Sequence, residues 1–332
     1  MKIYKWKDIQ KDFQDTIIIG NGGSIAVNEC FKYPSIYEYA LKEKLFSSKT
    51  IKLFEAFETK NFELVLKYIL HAKTVNKILD IQDKNLNEQY ENIKSDLINI
   101  IQKIHPKYSE IKHQLPTINQ FLQKFKKVIT LNYDLVLYWA IMFDNNNFID
   151  YFTRQKQYSP LEFDVNMNRL NRTEVFYLHG NLMLGKNRYG NTVKHEANNE
   201  FNLIDTISNS WEEIQTTPLF VSEGSSDNKL SYIQNHHYLN HIYNNILPCH
   251  NHQNITIYGW SFSEQDEHIL KKILGFRCRY EKVIRKKIAI SVFKNNEKEC
   301  LHIQNAIKDI CASTLEPEII FFHSNSVGCW NN

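Results

Sequence analysis

A short β-branched run that stops in glycines is the feature that most constrains this fold. Residues 16–19 read Thr-Ile-Ile-Ile, and residues 20–24 follow as Gly-Asn-Gly-Gly-Ser. The run predicts a buried strand, and the glycines predict a tight turn into a helix. Because glycine has no Cβ, such a loop lets the backbone approach a diphosphate at the N-terminal end of that helix. The alternative is a tight turn that binds no ligand.

Six further apolar runs predict strands, and helical spacing fills most of the segments between them. The runs cover residues 127–131, 175–178, 218–221, 255–258, 287–293 and 318–322. Strands that alternate with helices predict a parallel sheet with right-handed crossovers, so the expected fold class is α/β with a Rossmann-like parallel sheet. The polar stretch 184–216 is expected to be a loop with a short helix.

Residues 35–127 carry helical spacing and separate the first two predicted strands. Breaks near Pro106 and Pro116 divide this region into several amphipathic helices. In a dehydrogenase-type Rossmann unit, the second strand and its ribose-binding acid would follow the glycine loop within about 30 residues. The long insertion therefore argues against hydride transfer. We expect a single domain over 1–332, in which 35–127 forms a helical insertion or a lid.

Composition and charge exclude several classes of protein. Hydrophobic residues make up 42% of the chain and charged residues 23%, which excludes a disordered or low-complexity polymer. A formal charge of +3 is too balanced to indicate nucleic acid or a membrane surface as a partner. The chain lacks an apolar run of the roughly 20 residues that a membrane helix needs, a secretory signal and a CxxC pair. We therefore expect a cytoplasmic protein with reduced thiols.

Small or polar residues follow four of the predicted strands. They are Gly20 to Ser24, Asn132 to Asp134, His179 with Gly180, and Gly259 to Ser261. Ligands of an open parallel sheet bind beyond the carboxyl ends of its strands, so we expect these residues to meet at one site. Structural alternatives stay open: His179 could be a satisfied buried histidine, and Asn132 and Asp134 could cap the following helix.

The same motifs, in the same order, resemble those of the sirtuin-like NAD-binding proteins. That family carries a strand with GAGxS, a Thr-x-Asn-x-Asp stretch, a His-Gly pair, and a strand with a Gly-x-Ser loop. The counterparts here are Gly20 to Ser24, Thr130 to Asp134, His179-Gly180 and Gly259-Trp260-Ser261. The resemblance extends to the SIR2-like NAD hydrolases of bacterial antiphage defence and the related DUF4917 group, which show Asn-Tyr-Asp and a Gly-x-Ser-x-x-x-x-Asp form that ends here at Asp266.

Two departures from the sirtuin pattern bear on the activity. Asn21 stands where the pattern has alanine, and only Cys249 lies where deacylase sirtuins carry a four-cysteine zinc module. The resemblance implies an NAD+ glycohydrolase that takes NAD+ as its substrate and holds no metal. A module that senses NAD or ADP-ribose without turnover is the alternative, and a protein deacylase is less favoured because the zinc module is missing.

The chemistry and the resemblance together suggest a role for each motif. Breaking the nicotinamide–ribose bond requires a base and fixed polar groups around the sugar, and a histidine can accept a proton at neutral pH. His179 would be the base, Asn132 would hold the ribose or position water, and Asp134 would orient the ribose or stabilise positive charge. The residues expected to bind the dinucleotide are Gly20, Asn21, Gly22, Gly23, Ser24, Gly259, Trp260, Ser261 and Asp266.

Three other features have plainer interpretations. Asp266 follows Ser263 by three residues, a spacing that favours helix capping. The basic stretch 277–287 is expected to be a solvated helix face. Several histidines and a cysteine suggest zinc, but they lack the spacing of a zinc site; they are His237, His241, Cys249, His250 and His252.

An unrestrained NAD+ hydrolase would poison its own cell. We therefore expect the isolated chain to be weakly active and to be activated by oligomerisation or by a nucleotide-sensing companion protein. In the setting that the resemblance implies, the active form would be a toxic effector that depletes NAD+ and aborts infection. The trigger, and whether cyclic ADP-ribose is also formed, stay open.

Overall fold

The chain is described by a computed structural model. The structure describes residues 2–155, 160–196, 204, 207, 217–222, 224–247, 254–275, 286–294, 296–311 and 316–332. The strands, in chain order, are β1 (Ile3–Tyr4), β2 (Thr16–Ile19), β3 (Lys127–Thr130), β4 (Phe148–Ile149), β5 (Phe152–Arg154), β6 (Leu161–Phe163), β7 (Thr173–Tyr177), β8 (Gly180–Lys186), β9 (Thr192–Lys194), β10 (Thr217–Phe220), β11 (Ile255–Tyr258), β12 (Lys287–Val292) and β13 (Glu318–His323).

Eight of these strands form a parallel sheet. Their order is β1-β13-β12-β11-β2-β3-β7-β4, and every neighbouring pair is parallel. From β2 the chain moves outward through β3 to β7, and it later returns to β11 on the other side of β2. The strand order therefore reverses between β2 and β11, which is where such sheets bind ligands. The predicted α/β, Rossmann-like fold class is confirmed.

The central strands are buried along their whole length. All residues of β2, β7 and β11 are buried. A parallel strand covered by helices on both faces needs a continuous apolar run, and β-branched residues fit the pleated backbone. This is why unbroken runs in the sequence predict these strands correctly.

Helices account for most of the remaining described residues. In chain order they are α1 (Trp6–Ile9), α2 (Asn21–Val27), α3 (Tyr33–Lys42), α4 (Ser48–Ala56), α5 (Phe62–Ile78), α6 (Lys84–Ile104), α7 (Tyr108–Ile111), α8 (Leu115–Leu122), α9 (Val136–Phe143), α10 (Ser226–Gln234), α11 (His237–His241), α12 (Glu267–Gly275) and α13 (Glu297–Cys311). The predicted insertion thus consists of α3 to α8. Helix α6 ends before Pro106, and Pro116 lies in the first turn of α8, as the sequence predicts. None of the described helices combines the length and the apolar character needed to cross a bilayer.

A second, antiparallel sheet corrects the sequence prediction. Its order is β10-β8-β9-β6-β5. Strands β8 and β9 occupy part of 184–216, which was predicted as loop, and β10 pairs antiparallel with β8 instead of joining the parallel sheet. Most of these strands are short and carry polar residues, so they show no apolar run. The short helix expected in 184–216 falls largely outside the described residues.

Two smaller corrections concern the N-terminus and α10. Strand β1 was not predicted, because two residues form no run; it pairs with β13 at the sheet edge. The glycine loop therefore follows the second strand, and the insertion lies between the second and third. Between the runs 218–221 and 255–258, helical spacing predicts one helix through Tyr232 to Ile246; the structure instead has α10, α11 and a π-helical turn at Ile242–Ile246.

Candidate functional site

The carboxyl ends of β2, β3, β7 and β11 open onto one cavity. Its volume is about 910 Å³, within the range of about 300–1,000 Å³ that is common for ligand sites. All the site residues predicted from the sequence line it except Gly23 and Ser24; those present are Gly20, Asn21, Gly22, Asn132, Asp134, His179, Gly259, Trp260, Ser261 and Asp266. The structure thus brings the separate motifs together, while their roles stay predictions.

The glycines of the two loops are required by contact between the loops themselves. The Gly22 amide donates to the Gly259 carbonyl at 2.7 Å. A Cβ on Gly20 would lie 2.6 Å from the Gly259 oxygen, and a Cβ on Gly259, whose φ is +66°, would lie 2.5 Å from the Gly23 nitrogen. The tight-turn alternative therefore explains these glycines by itself, so they are not specific for a diphosphate.

Gly23 and Ser24 do not line the cavity, and both bond to other parts of the protein. The Gly23 carbonyl accepts a hydrogen bond from Trp330 Nε1 at 2.8 Å. The buried Ser24 hydroxyl donates to Asp134 Oδ2 at 2.5 Å and accepts from Asn132 Nδ2 at 2.8 Å. Ser24 thus ties the end of β2 to the end of β3, and its hydroxyl is already engaged where a phosphate ligand was predicted.

Asn132 and Asp134 differ in how their side chains are used. The Asn132 amide nitrogen also donates to the Gly20 carbonyl at 3.0 Å, while its Oδ1 is buried and has no hydrogen-bond partner among the described residues. Asp134 Oδ1 accepts from the Val136 amide at 2.8 Å in the first turn of α9. The N-cap residue of α9 is Leu135, which makes no side-chain capping bond; Asp134, one residue earlier, satisfies the first amide of the helix, whereas Asn132 makes no bond to it. Burial raises the pKa of Asp134.

His179 directs an unpartnered nitrogen at the site. Its side chain is buried, and Nε2 finds no hydrogen-bond partner within the part of the chain that the structure describes. Burial lowers the pKa of His179 to about 3, against the opposing effect of Asp266. The imidazole is therefore neutral at pH 7. A structural histidine would have its nitrogens satisfied, so the unpartnered Nε2 argues against that alternative.

The Gly180 that follows His179 has a structural reason. Its φ is +78°, and a Cβ there would lie 1.8 Å from the Leu219 carbonyl oxygen. The Val221 amide also donates to the His179 carbonyl at 3.0 Å. The second sheet thus packs directly against the backbone of the predicted base and fixes its position.

Asp266 belongs to a buried ionic cluster that sequence reasoning missed. Lys229, on α10, is fully buried, and its Nζ lies 2.9 Å from Asp266 Oδ1 and 3.1 Å from Glu63 Oε1. Burial opposes the ionisation of Asp266, but the Lys229 ammonium and its hydrogen bond, together with His179 and His268, outweigh burial and hold the carboxyl pKa well below its usual range. Burial raises the pKa of Glu63, against the opposing effect of Lys229.

The capping prediction for Asp266 is wrong. The Ser263 side chain makes no capping hydrogen bond to the helix backbone; its hydroxyl donates to Asp266 Oδ2 at 3.4 Å, and Asp266 also accepts from Lys229 and from Trp260 Nε1 at 3.2 Å. Nothing in the sequence marks Lys229, and Glu63 looks like an ordinary acidic residue in the first turn of a helix. The insertion nonetheless forms one wall of the cavity, through Asn61, Glu63, Leu97 and Ile101.

Two histidines considered as zinc ligands in the sequence, His237 and His241, do not line the cavity. His237 and His241 pack against the Phe163 ring, with centroids 6.1 and 5.5 Å away. Among the described residues, no group of three or more His, Cys, Asp and Glu side chains is arranged to hold a metal ion. Three residues and one basic stretch fall wholly or mostly outside the described part of the chain: Cys249, His250, His252 and 277–287.

Comparison with models of protein families identifies the family of the chain. A family model described as a domain of unknown function, DUF4917, matches residues 17–330, which include every element around the cavity. No curated protein matches the chain significantly.

Proposed function

This chain belongs to the DUF4917 family, a domain of unknown function, and we propose that it is an NAD+ glycohydrolase that yields nicotinamide and ADP-ribose. The observation that carries the proposal is a pair of buried acceptor atoms on one cavity, His179 Nε2 and Asn132 Oδ1, that have no partner among the described residues. Such atoms are rare in folded proteins and indicate a polar ligand or water. Their place at the switch point of a parallel sheet favours a nucleotide.

The reaction requires a proton acceptor near the ribose. As the carbon–nitrogen bond breaks, its electron pair returns to the pyridinium ring and the ribose becomes positively charged. Water then adds to the ribose carbon and gives up one proton. We assign this proton to His179 Nε2, in the neutral tautomer that carries its proton on Nδ1; the imidazole as a whole is neutral at neutral pH. Asn132 Oδ1 accepts a hydrogen bond from the attacking water or from a ribose hydroxyl.

Asp266 opposes the loss of basicity that burial imposes on His179, and the pKa of about 3 already includes this effect. A histidine with a pKa of about 3 is a weak base. Asp266 Oδ1 lies 3.8 Å from Nε2, and an ionised carboxylate at that distance stabilises the imidazolium that forms when the proton arrives. In this proposal Ser24 and Asp134 hold Asn132 in place.

A second candidate is a module that binds NAD+ or ADP-ribose without turnover. The low pKa of His179 favours it, because the free protein has a poor base. The two candidates differ in one observable: the hydrolase releases nicotinamide, and the sensor binds the dinucleotide unchanged.

The biological role rests on the resemblance to SIR2-like defence proteins. We propose a toxic effector that depletes NAD+ during phage infection and that a nucleotide-sensing partner or self-association activates. The isolated chain should then be weakly active and should co-elute with its partner or with itself. Consistent elution as a fully active monomer would contradict this regulation.

The test of catalysis is nicotinamide and ADP-ribose release from NAD+ by the purified chain, alone and with lysate from infected cells. His179→Ala and Asn132→Ala should each abolish turnover. His237→Ala, which removes a histidine outside the cavity, should leave it unchanged. Binding of NAD+ without cleavage under all conditions would favour the sensor, and absence of binding would exclude both candidates.

A further inference from the structure

The cavity has an excess of negative charge at the end that holds His179. Two buried carboxylates, Glu63 and Asp266, share the single ammonium of Lys229. Asp266 Oδ1 also lies 3.8 Å from His179 Nε2, so this cluster and the proposed base occupy the same end of the cavity. With the imidazole neutral, two carboxyl groups face one ammonium, which leaves an excess of one negative charge when both are ionised; burial raises the pKa of Glu63, and the Lys229 ammonium opposes this effect.

Other polar groups around Glu63 do not cancel this excess. The Tyr133 hydroxyl lies 3.4 Å from Glu63 Oε1 and donates to the Val221 carbonyl at 2.6 Å. Among the described residues that line the cavity, Lys32 is the one lysine or arginine, and its Nζ lies 2.6 Å from Glu29 Oε1. With Glu63 ionised, the inner wall therefore presents a net negative charge that water screens poorly.

We propose that Glu63, with Asp266, makes this wall select the positively charged pyridinium ring of NAD+ over the neutral dihydropyridine ring of NADH. This inference rests on the proposed function and adds a specificity-determining residue to it. NAD+ and NADH share their adenosine, diphosphate and nicotinamide ribose, so a difference in affinity reports the charge of the ring. NADH cannot be cleaved by the same route. A site that excludes NADH is therefore not inhibited by a cofactor that it cannot cleave.

The proposal gives the helical insertion a chemical role. Glu63 lies in the first turn of α5, whereas Asp266 follows β11 and Lys229 belongs to α10. The insertion therefore supplies one of the two carboxylates directly. A second contact between the same two regions lies at the surface, where Lys67 Nζ is 2.9 Å from Glu264 Oε2. Glu264 is 86% exposed and does not line this cavity, so it provides a matched control.

The experiment measures the affinity of the full chain for carbocyclic NAD+ and for its reduced form by calorimetry. A methylene replaces the ribose ring oxygen in these probes, so the oxidised form is not hydrolysed. We expect the wild type to bind the oxidised form about tenfold more tightly, or better. Glu63→Gln keeps the shape and removes the charge, and it should bring the ratio towards one by weakening the oxidised form alone. Glu264→Gln should keep the wild-type ratio.

Each contrary result has a definite meaning. Equal affinities in the wild type, with nicotinamide release from NAD+ intact, would overturn the inference and leave the proposed function standing. An unchanged ratio in a folded Glu63→Gln protein, or an equal loss in Glu264→Gln, would overturn the role of Glu63. Absence of binding of both probes would overturn the proposed function and the inference with it. If Glu63→Gln does not fold by circular dichroism, the wild-type ratio decides.

Discussion

His179 Nε2 lies 3.8 Å from Asp266 Oδ1, and Lys229 Nζ donates to the same Asp266 oxygen at 2.9 Å. The distance to His179 is too long for a hydrogen bond, so Nε2 keeps its lone pair available while it lies in the field of an ionised carboxylate. Lys229 keeps that carboxylate ionised. His179 Nε2 is therefore a free hydrogen-bond acceptor, and the negative charge of Asp266 beside it favours protonation of the imidazole.

Asp266→Asn should reduce turnover through His179. The substitution removes the negative charge that raises the histidine pKa against burial, so the His179 pKa should fall further. We expect kcat to drop about tenfold or more and KM to change little, since each unit of pKa corresponds to about 1.36 kcal/mol. The measurement is kcat against pH, together with the imidazole NMR signal of His179.

Glu267→Gln is the control for this variant, since it removes a partly exposed carboxylate one residue away. Its kcat and the His179 signal should match those of the wild type. An Asp266→Asn protein with wild-type kcat would show that the charge does not assist the base.

Ser24→Ala should distinguish positioning from phosphate binding. The hydroxyl bridges Asp134 and Asn132, so its loss removes one of the two hydrogen bonds that hold the Asn132 amide nitrogen and leaves a buried carboxylate short of a donor. We expect kcat to fall about tenfold, KM to change by less than about threefold, and the free energy of unfolding to fall by about 1–3 kcal/mol. Steady-state kinetics and urea unfolding provide the measurement. A large rise in KM at constant kcat would instead support the diphosphate role.

The strand ends could be predicted because a buried parallel strand requires an unbroken apolar run, which is easy to recognise in a sequence. The run Thr16 to Ile19 is apolar throughout since helices cover both of its faces, and the loop after it must contain glycine because Gly259 approaches so closely. Four such strands fix where the cavity lies. The positions of Asn132 and His179 at that cavity follow directly from the parallel topology.

The buried cluster could not be predicted for an equally physical reason. Glu63 and Lys229 lie in ordinary amphipathic helices, and their contact depends on how the insertion packs against α10. A single sequence carries no signal for such long-range pairing. The second sheet was missed for a related reason: β6 and β9 have three residues each, which is too few to show a periodicity.

Acidification should destabilise the protein through His105, away from the proposed chemistry. His105 is buried; its Nε2 accepts from the Leu135 amide at 2.9 Å, and burial lowers its pKa to about 4. The unfolded chain, with a pKa near 6.5, takes up the proton first. The stabilisation is therefore complete above about pH 6.5 and is lost as the pH falls towards 4, by up to about 1.4 kcal/mol per pH unit.

Urea unfolding between pH 7 and pH 4.5 measures this loss. His105→Gln should be less stable than the wild type at pH 7 and should show a shallower pH dependence. His113→Gln, at an exposed position, should follow the wild-type curve. Parallel curves for the wild type and His105→Gln would exclude His105 as the source.

Gly259→Ala should separate the two loops that form the switch point. A Cβ at Gly259 would lie 2.5 Å from the Gly23 nitrogen at a φ of +66°, so the variant combines backbone strain with a clash. Gly328→Ala isolates the strain, because Gly328 has a φ of +78° and nothing within 4 Å of its Cβ position. We expect Gly328→Ala to lose about 1 kcal/mol of unfolding free energy and Gly259→Ala about 1–3 kcal/mol more.

NAD+ affinity should fall in Gly259→Ala alone, because only there do the walls of the cavity move. Equal losses of stability in both variants, with affinity retained, would mean that the loops tolerate separation and that the glycines serve local backbone geometry alone.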